Sequence, residues 1–463
     1  MRLHTLLLMG LLLASLTHAA SVEDYESIQA AIDANPGKMI FVPDADYPIA
    51  AKLRIAHDST GLYGFGRIIQ TNPAEPVLEI EHATGVRIKD ITLTRGENVQ
   101  DSTANGLFCY DSKDVEIDGV RVVDCRAREA ALEIRTCKNV TVRNCQIKNY
   151  KRIAVDDRTG EGQNHYGYAF WAIDGTGIHI RESTGTTLLD NRIVEDNLLP
   201  TPEVKEKFKL GALTEGKYPS KEGDLAHDAF ANGYVNNWHQ GSAIIVTSPE
   251  QTRNTLVRGN ILQNAAQGID LHTDSAVVSE NIIDYCMIGI KATHGCRNLT
   301  IASNQVSHVD LWGILLNPGA ISHAAEPASD GKEGRPANVD AGTVIANNII
   351  SDYGYGHEYW NWGGKSADQG GSFAIALYEG QLPTNPPLTD VLIQGNIVYN
   401  TGRDGVLADG KVTAEPPRFR YAVYVGPWGE GREKGPTYPQ GLHFANNLFH
   451  SGTAAISNVE LTP

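Results

Sequence analysis

Positive charge is scarce in this 463-residue sequence, which has 39 Lys and Arg against 55 Asp and Glu and a formal net charge of −16 at pH 7. A chain this acidic is a poor match for nucleic acid or for an anionic membrane surface. We therefore expect neither as a partner. An acidic polymer stays open as a ligand, because a local basic groove can outweigh a distant acidic surface.

Long apolar runs are also missing, apart from one near the start of the chain. Leu6 to Leu16 follows a basic second residue and precedes the small residues of Thr17-His18-Ala19-Ala20. The run is shorter than the ~20 residues that span a bilayer. Its flanks are typical of a secretory signal cleaved after Ala19. The sequence therefore predicts a signal peptide at 1–19, and one secreted or periplasmic domain at 20–463.

Cysteine is sparse, and no two of the six have the spacing of zinc ligands. We expect no metal site and no cofactor; calcium is left open, although no motif supports it. Cys109 and Cys145 fall at inward repeat positions, where a small buried hydrophobe is the simplest interpretation. The sequence leaves the disulfide state of the six open. They are Cys109, Cys125, Cys137, Cys145, Cys286 and Cys296.

A repeat of 21 to 24 residues runs from Arg258 to Asn317. Each unit carries an Asn mark and then a Gly-Ile pair that opens an alternating apolar and polar strand. The Asn marks are Asn260, Asn281 and Asn304, and the Gly-Ile pairs begin at Gly268, Gly289 and Gly313. Such a period is typical of a solenoid whose units stack on one another. No helical stripe separates the strands, so we predict the coils of a parallel β-helix.

The alternation assigns each side chain to the inside or outside of a coil. The predicted inward residues are Ile269, Leu271, Ile290, Ala292, Ile314 and Leu316. The Asn marks should stack at one turn and bond to the coils above and below. Marks in other coils are Asn144, Asn191, Asn348, Asn396 and Asn447. Further coil strands are predicted at Leu132–Arg135, Ile153–Asp156, Ile178–Arg181 and Ile244–Thr247.

The N-terminal segment predicts a helix within residues 21–35 that ends at Pro36-Gly37, followed by a strand at Met39–Val42. The stretch from Ser27 to Asp33, with Ile40-Phe41-Val42-Pro43 and the Asn-marked coils, resembles pectate-lyase-like right-handed parallel β-helix proteins. The resemblance covers nearly the whole mature chain. It implies an all-β solenoid whose open end is capped by the amphipathic helix.

The resemblance implies no particular reaction. The chain lacks the combined motif set of polygalacturonases, the Asp-Pro-His of mannuronan epimerases and the Trp-x-Asp-His of classical pectate lyases. No catalytic residue can therefore be carried over from these families. Any assignment must come from the positions of the chain's own side chains.

Long insertions interrupt the predicted coils, and several are rich in aromatic residues. They lie at about 158–174, 197–240, 318–342, 353–371 and 409–440. Long loops on a regular scaffold are usually functional. Aromatic rings suit sugar faces, since they combine apolar area with polar edges. We therefore predict substrate-binding roles for Trp238, His239, Tyr359 and Trp360.

Stacked strands lie ~4.8 Å apart, so outward residues at matching positions form columns. One column reads Phe108, Glu133, Ala154, His179, Ile245, Asp270, Lys291, Leu315, and the next reads Tyr110, Arg135, Asp156, Arg181, Thr247, His272, Thr293, Asn317. The columns bring Asp270, His272 and Lys291 together, with His294 just past its strand. We predict these four as catalytic residues. The columns also predict that Arg181 and Asn317 bind substrate.

This patch favours β-elimination of a uronic-acid polysaccharide by a monomeric polysaccharide lyase. The reaction needs a base at C5, an acid for the leaving oxygen and positive charge on the carboxylate. A Lys beside Asp270 should keep its proton. Lys291 is therefore better suited to neutralise charge, and His272 or His294 to act as the base.

Two alternatives remain at this point. A glycoside hydrolase needs two carboxylic acids ~6.5–9.5 Å apart if it inverts. Asp156 is predicted ~14 Å from Asp270, which is too far, whereas Asp274, Glu358 or Asp368 could serve. A uronate epimerase would use the same scaffold. The other alternative is a non-catalytic glycan-binding or adhesive solenoid, in which Asp270 and Lys291 form an ordinary exposed ion pair.

Overall fold

The structure is a computed structural model, which describes residues 20–99, 101–156, 169–196, 234–236, 241–309, 311–329, 331–352, 372–399, 405–406, 412–413, 420–427 and 434–462. The predicted signal peptide at 1–19 lies outside the described residues. Within the described ranges, no helix has both the length and the apolar character needed to cross a bilayer.

Three parallel sheets of twelve strands each form the body of the protein. Sheet 1 contains Met39–Val42, Gly61–Gly64, Arg87–Lys89, Lys113–Asp118, Lys138–Arg143, Thr187–Leu189, Arg253–Arg258, Asp274–Ser279, Arg297–Ala302, Ala341–Ala346, Thr389–Gln394 and Gln440–Ala445. Sheet 2 contains Asp46–Ile49, Arg67–Gln70, Thr92–Arg95, Arg121–Val123, Gln146–Lys148, Arg192–Val194, Ile261–Gln263, Ile282–Asp284, Gln305–Ser307, Ile349–Ser351, Ile397–Tyr399 and Leu448–Phe449. Sheet 3 contains Leu53–Ile55, Leu78–Glu81, Leu107–Tyr110, Ala130–Arg135, Thr176–Arg181, Ser242–Thr247, Gln267–Leu271, Ile288–Thr293, Trp312–Asn317, Phe373–Tyr378, Tyr421–Gly426 and Ala455–Ser457.

The chain passes from sheet 1 to sheet 2 to sheet 3 and then returns to sheet 1 in the next coil. This confirms the predicted right-handed parallel β-helix. Smaller elements stand outside the three sheets. They are the 3-10 helices Val22–Asp24 and Glu97–Val99, the α-helix Ile28–Ala34, and the strands Asp101–Ser102, Arg126–Ala127, Arg152–Asp156, Ala169–Asp174, Tyr234–Asn236, Gly405–Val406 and Val412–Thr413.

The N-terminal helix Ile28–Ala34 covers the first coil, as predicted. It begins after Ser27, whose Oγ accepts a hydrogen bond from the backbone N–H of Ala30 at 3.1 Å. Its apolar face is buried and joins the core through Ile28, Ala31 and Ile32. The helix ends just before Pro36-Gly37, where proline cannot continue it.

The six predicted inward residues of the central coils are all at most 2% exposed. The Gly-Ile pairs at the start of their strands have a steric cause. A Cβ on Gly268 would lie 2.6 Å from the carbonyl oxygen of Gly289 in the next coil. Strand pairing skips this glycine and resumes at Ile269. Both strands skip a glycine at this place, so the register is kept, and Gln267 and Asp270 both lie within reach of Lys291 Nζ on the outer side.

The Asn marks form a ladder at the turn from sheet 1 to sheet 2. The Nδ2 of every ladder Asn except the last, Asn447, donates to the Oδ1 of the Asn in the next coil at 2.9–3.0 Å. The ladder comprises Asn191, Asn260, Asn281, Asn304, Asn348, Asn396 and Asn447. It confirms the predicted stacking for these seven residues.

Asn144 was wrongly predicted as part of this ladder. Its coil presents Cys145 at the ladder position, and the Cys145 backbone N–H donates to Asn191 Oδ1 at 3.0 Å. Asn144 takes the preceding left-handed position, with φ 54°. Asp190 and Gly259 hold that position in the following coils. Asn suits both a left-handed turn and a ladder, so its presence alone did not fix the register.

The predicted coil strand at Ile153–Asp156 was also wrong. Arg152–Asp156 pairs antiparallel with Ala169–Asp174, which pairs in turn with Tyr234–Asn236. Sheet 3 passes directly from Ala130–Arg135 to Thr176–Arg181. Ala154 and Asp156 therefore do not belong to the outward columns. Period-2 alternation is shared by coil strands and hairpin strands, so the pattern could not separate them.

Of the insertions, 318–342 is largely described and forms an antiparallel arm. Its bridges join His323 to Asn338, Glu326 to Arg335, and Ser329 to Lys332. The insertion at 353–371 lies outside the described residues. All six cysteines are buried and unbonded, and the Sγ atoms of Cys109 and Cys137 lie 3.6 Å apart.

Candidate functional site

The outer face of sheet 3 carries the predicted patch in the predicted register. One column reads Phe108, Glu133, His179, Ile245, Asp270, Lys291, Leu315. In the neighbouring column, Tyr110, Arg135, Arg181 and Thr247 pair from coil to coil, and Thr293 pairs with Asn317. His272 lies between these two runs, directly after the end of the strand Gln267–Leu271, and its backbone N–H donates to the Val246 carbonyl at 2.7 Å. Asp270, His272 and Lys291 are thus adjacent, because two successive coils place them at matching positions.

Asp270 lies at the centre of this patch, and its side chain is only 4% exposed. Its Oδ2 is 3.2 Å from Lys291 Nζ, and its Oδ1 is 3.1 Å from His272 Nε2. Lys291 Nζ also lies 3.4 Å from Gln267 Oε1. Each oxygen of one carboxylate therefore faces a different basic side chain.

Burial raises the pKa of Asp270, but the charges of Lys291 and His272 lower it more, so the pKa lies well below the usual value. The carboxylate is therefore ionised at neutral pH. The Asp270–Lys291 contact is not the exposed ion pair of the non-catalytic alternative, because the Lys291 side chain is 18% exposed. A buried ion pair adds little net stability, since desolvation offsets its attraction.

His272 and His294 lie beside this carboxylate with their rings edge to face and their centroids 4.6 Å apart. Burial, together with the charges of His272 and Lys291, lowers the pKa of His294 to about 2. Its imidazole is therefore neutral at physiological pH. His294 has a left-handed backbone, with φ 67°. A Cβ on Gly319 would lie 2.1 Å from its Nδ1, so this ring requires glycine at 319.

A buried carboxylate that sequence reasoning missed holds the turn after His294. Asp340 accepts hydrogen bonds from the backbone N–H groups of Gly295 and Cys296 at 3.0–3.1 Å, and from Ser322 Oγ at 2.6 Å. Asn338 Nδ2 donates to the His294 carbonyl at 2.9 Å. The arm 318–342 thus fixes the position of His294. No local pattern in the sequence signalled this contact, which joins residues 45 positions apart.

Gln267 and His179 were also missed. Gln267 stands at the start of its strand, and the matching positions of the next coils hold the apolar residues Ile288, Trp312 and Phe373. A polar residue at an otherwise apolar position was therefore a signal that the sequence offered. His179 is two coils from Asp270, and its Nε2 lies 2.9 Å from Thr247 Oγ1 in the coil between them. Burial, then the charges of Arg181 and His272, lower the pKa of His179 to about 3.

Five buried polar atoms in this patch have no hydrogen-bond partner among the residues that the structure describes. They are Asp270 Oδ1, His272 Nε2, Thr293 Oγ1, His294 Nδ1 and Asn317 Oδ1. Asp270 Oδ1 and His272 Nε2 are close enough for an ion pair but are not aligned as a hydrogen bond. Buried polar groups are nearly always bonded, so a concentration of unbonded ones is typical of a site that binds something. We call Asp270, His272, Lys291, Thr293, His294 and Asn317 the Asp270 cluster.

The predicted substrate-binding residues divide into two groups. Asn317 is 1% exposed and lies within the Asp270 cluster. Arg181 lies two coils away in the His272 column, and its Nε is 3.1 Å from Glu182 Oε1. The other four, Trp238, His239, Tyr359 and Trp360, lie outside the described residues.

The carboxylate partners considered for hydrolysis do not join the cluster. Asp274 begins a strand of sheet 1, where Arg297 Nε lies 3.0 Å and Asn298 Nδ2 2.8 Å from it. Glu358 and Asp368 lie outside the described residues. Among the residues that the structure describes, no group of three or more His, Cys, Asp or Glu is placed to hold a metal ion.

Two grooves formed by described residues lie away from this cluster. One, of about 360 Å³, follows sheet 1 past Tyr63, Arg87 and Arg143. The other, of about 350 Å³, lies between Asp111 and Arg253. The buried polar atoms, rather than the size of a cavity, single out the Asp270 cluster.

Comparisons with known proteins agree with this fold. A family model described as a right handed beta helix region matches residues 78–202. The A-module of a mannuronan C-5 epimerase from Azotobacter vinelandii is similar in structure, with 13% identity and a TM-score of 0.51; the match covers 95% of this chain and all of that one. An exopolygalacturonase from Thermotoga maritima gives 11% identity and a TM-score of 0.53, over 93% of this chain and 92% of that chain.

A third similar structure is a DFA-IIIase from Arthrobacter chlorophenolicus A6 in complex with DFA-III. It gives 12% identity and a TM-score of 0.50, over 96% of this chain and 98% of that chain. No curated protein sequence matches the chain. Likeness at this identity shows the fold, and it confirms the resemblance to pectate-lyase-like β-helix proteins.

Proposed function

We propose that this protein is a polysaccharide lyase that cleaves a uronic-acid-containing glycan outside the cytoplasm. The observation that carries the proposal is the buried, ionised Asp270 between His272 and Lys291, among polar atoms that lack partners. Two similar structures, a mannuronan C-5 epimerase and an exopolygalacturonase, are named after polymers of uronic acids. On a shared fold, such polymers are the natural first substrates to test.

In the proposed reaction, the ionised carboxylate of Asp270, 3.1 Å from His272 Nε2, favours the imidazole tautomer that carries its proton on Nε2. The Nδ1 lone pair then removes the C5 proton of a uronate. Electrons from the C5–H bond form the C4=C5 double bond, the C4–O4 bond breaks, and O4 leaves with a proton from a general acid. Lys291 stabilises the negative charge that develops on the uronate carboxylate.

His294 is proposed in a supporting role. A group with a pKa of about 2 is a weak base. Its ring packs against His272 and limits how that ring can turn. The base and the charge neutraliser are thus placed by two successive coils, and the turn after the second coil holds them in position.

Elimination is favoured over hydrolysis because the Asp270 cluster contains a single carboxylate. Glu133 lies three coils from Asp270, or ~14 Å, beyond the separation of an inverting pair. The proposal needs no metal ion, since Lys291 supplies the positive charge beside the proposed base. Treatment with a chelator is therefore expected to leave the activity unchanged.

The test uses polymannuronate and polygalacturonate in D₂O. We expect products whose new ends carry a C4=C5 double bond, which is detected by its ultraviolet absorbance. Deuterium at C5 without absorbance would indicate epimerisation and contradict the elimination step. New reducing ends without absorbance would indicate hydrolysis. Binding with neither change would indicate a glycan-binding protein.

A further inference from the structure

We propose that the outer face of sheet 3, on the N-terminal side of the Asp270 cluster, binds several consecutive sugars of a polyanionic glycan. Arg135 and Arg181 hold acidic groups of this chain, and the rings of Phe108 and Tyr110 stack on a sugar beyond them. The identity of the ligand rests on the proposed function. We call these four residues the cationic track.

The register places the track in line with the proposed base. Tyr110, Arg135, Arg181 and Thr247 pair in successive coils, and His272 follows in the next coil, directly after the end of its strand. At ~4.8 Å a coil, Arg181 lies ~10 Å, Arg135 ~14 Å and Tyr110 ~19 Å from His272 along the column. A glycan laid across the strands would therefore meet both arginines before it reaches the rings.

The charges of the track are available to a ligand. Arg135 is half-buried and makes no side-chain ion pair or hydrogen bond with any residue that the structure describes. Among the described residues, Arg181 makes one ion pair, with its chain neighbour Glu182, and such a partly exposed pair is weak. In a chain of net charge −16, two under-used guanidinium groups on adjacent coils form a local positive surface.

The nearby carboxylate does not cancel this charge. Glu133 is buried beside Arg135 in the adjacent column, and Asn105 Nδ2 donates to its Oε2 at 2.9 Å. Burial raises the pKa of Glu133, although the Asn105 hydrogen bond lowers it in part. The carboxyl group of Glu133 is thus buried and bonded to Asn105 rather than paired with Arg135. Arginine is well suited to hold carboxylates because its planar fork makes paired hydrogen bonds.

The rings of Phe108 and Tyr110 form a platform at the end of the track. They are stacked, with centroids 5.8 Å apart and an interplanar angle of 27°. His82 packs edge-on to Tyr110 with centroids 5.5 Å apart. Both platform residues are half-buried, so their faces remain partly open. Such rings combine apolar area with a polar tip, which suits a sugar face.

On the C-terminal side of the Asp270 cluster, the outer face of sheet 3 has no room for the glycan. There the outer face of sheet 3 is filled by packed aromatic side chains that are at most 7% exposed. They are Trp312, Phe373, Tyr378 and Tyr424. A glycan that reaches the cluster along this face must therefore extend toward the N-terminal coils, over the track.

Binding is measured by calorimetry in the full-length protein carrying His272→Ala, which prevents turnover. The probes are oligomannuronate and oligogalacturonate of two and of six sugars. We expect Arg135→Gln with Arg181→Gln to weaken hexamer binding by at least about tenfold, since each charged hydrogen bond contributes ~1.5–3 kcal/mol. Dimer binding should change by less than about twofold. Tyr110→Ala should weaken hexamer binding by about threefold to tenfold.

Arg258→Gln is the matched control, because it removes the same charge from an exposed position on sheet 1. The proposed role of the track would be wrong if the Arg135→Gln and Arg181→Gln double variant bound the hexamer as tightly as its parent. It would also be wrong if Arg258→Gln weakened hexamer binding as much as the double variant does. Wild-type protein that binds hexamers through the arginines but forms no unsaturated ends from them would support the track and overturn the proposed reaction. A hexamer that does not bind at all would overturn both.

Discussion

Two stacks of buried polar side chains follow the same coil period in this protein. In the Asn ladder, each amide of Asn260, Asn281 and Asn304 donates to the next coil and accepts from the one before. In the Asp270 cluster, five buried polar atoms find no such partner. A repeating scaffold can satisfy an identical residue in every coil, but it cannot do so where the side chain changes from coil to coil.

The difference separates a stabilising stack from a functional one. A satisfied ladder contributes to the free energy of unfolding and leaves nothing free to bind a ligand. Buried polar atoms without hydrogen-bond partners lower the stability of the fold, and proteins commonly retain such atoms at sites that bind ligands or catalyse reactions. Substitutions in the two stacks should therefore affect different measurements.

The largest effect is expected from His272→Ala. Loss of the proposed base should lower kcat/KM on a uronate polymer by about 10³-fold, within the range of general acid–base catalysis. The midpoint of thermal unfolding should change little, because His272 Nε2 makes no aligned hydrogen bond. Steady-state kinetics and calorimetry check the two expectations.

Lys291→Ala is the companion variant, and it should also lose most activity. If both variants kept full activity with correct folding, the Asp270 cluster could not be the active site. If His272→Ala instead unfolded the protein, the contrast with the ladder would fail.

The next effect is expected in the ladder. Asn281→Asp replaces a donor to Val257 O and Asn304 Oδ1 with a carboxylate that faces two acceptors. An unpaired buried charge costs about 3 kcal/mol or more, so chemical denaturation should show a large loss of stability. The folded fraction should keep its kcat/KM.

Asn144→Asp is the matched control, since it makes the same change one position off the ladder. Asn144 Nδ2 donates to Asp118 Oδ1 at 2.9 Å on an exposed surface. Its loss should cost less than about 1 kcal/mol. Equal losses in the two variants would show that the ladder contributes no special stability.

A smaller effect concerns pH and Asp340. Burial raises its pKa to about 7, although Ser322 and the backbone N–H groups lower it in part. The folded state then binds more protons than the unfolded state between about pH 4 and pH 7, so stability falls as pH rises. Because of Asp340, the free energy of unfolding should fall by about 2 kcal/mol between pH 5 and pH 7, at ~1.4 kcal/mol for each pH unit.

Asp340→Asn should flatten that slope when the denaturation midpoint is followed from pH 5 to pH 7. Asp270→Asn should leave the slope in this window unchanged. Because the pKa of Asp270 is lowered, its stabilisation is complete above pH 4 and is lost only at more acid pH. An unchanged slope in Asp340→Asn would show that this carboxylate is ionised throughout.

The sequence was sufficient for the solenoid and for the position of the cluster, because both depend on repetition. The alternation around Ile269, Ile290 and Ile314 fixed the faces, and a one-residue slip would have buried Asp270 and Lys291 in the core. The same repetition predicted the ladder. Sheet pairing confirmed that Asp270 and Lys291 are neighbours.

Features without a repeat were not predictable in the same way. Arg152–Asp156 alternates like a coil strand but pairs with a later segment of the chain. Asp340 reaches Gly295 from 45 residues along the chain, and nothing local marks that contact. Hydrogen bonds from an irregular arm depend on the whole fold, so a periodic pattern carries no information about them.

The smallest expected effect is the sharpest test of the comparison. Thr293 is fully buried, and its Oγ1 has no partner. Thr293→Val keeps the shape and removes the unsatisfied hydroxyl, which should raise stability by about 1 kcal/mol. Thr255→Val, on sheet 1, removes another buried and unbonded hydroxyl and should gain as much. Only Thr293→Val should lower kcat/KM, by about tenfold, if its hydroxyl bonds a ligand or a ring in the bound state. Equal activity in both variants would mean that the unsatisfied atoms of the Asp270 cluster are only packing defects.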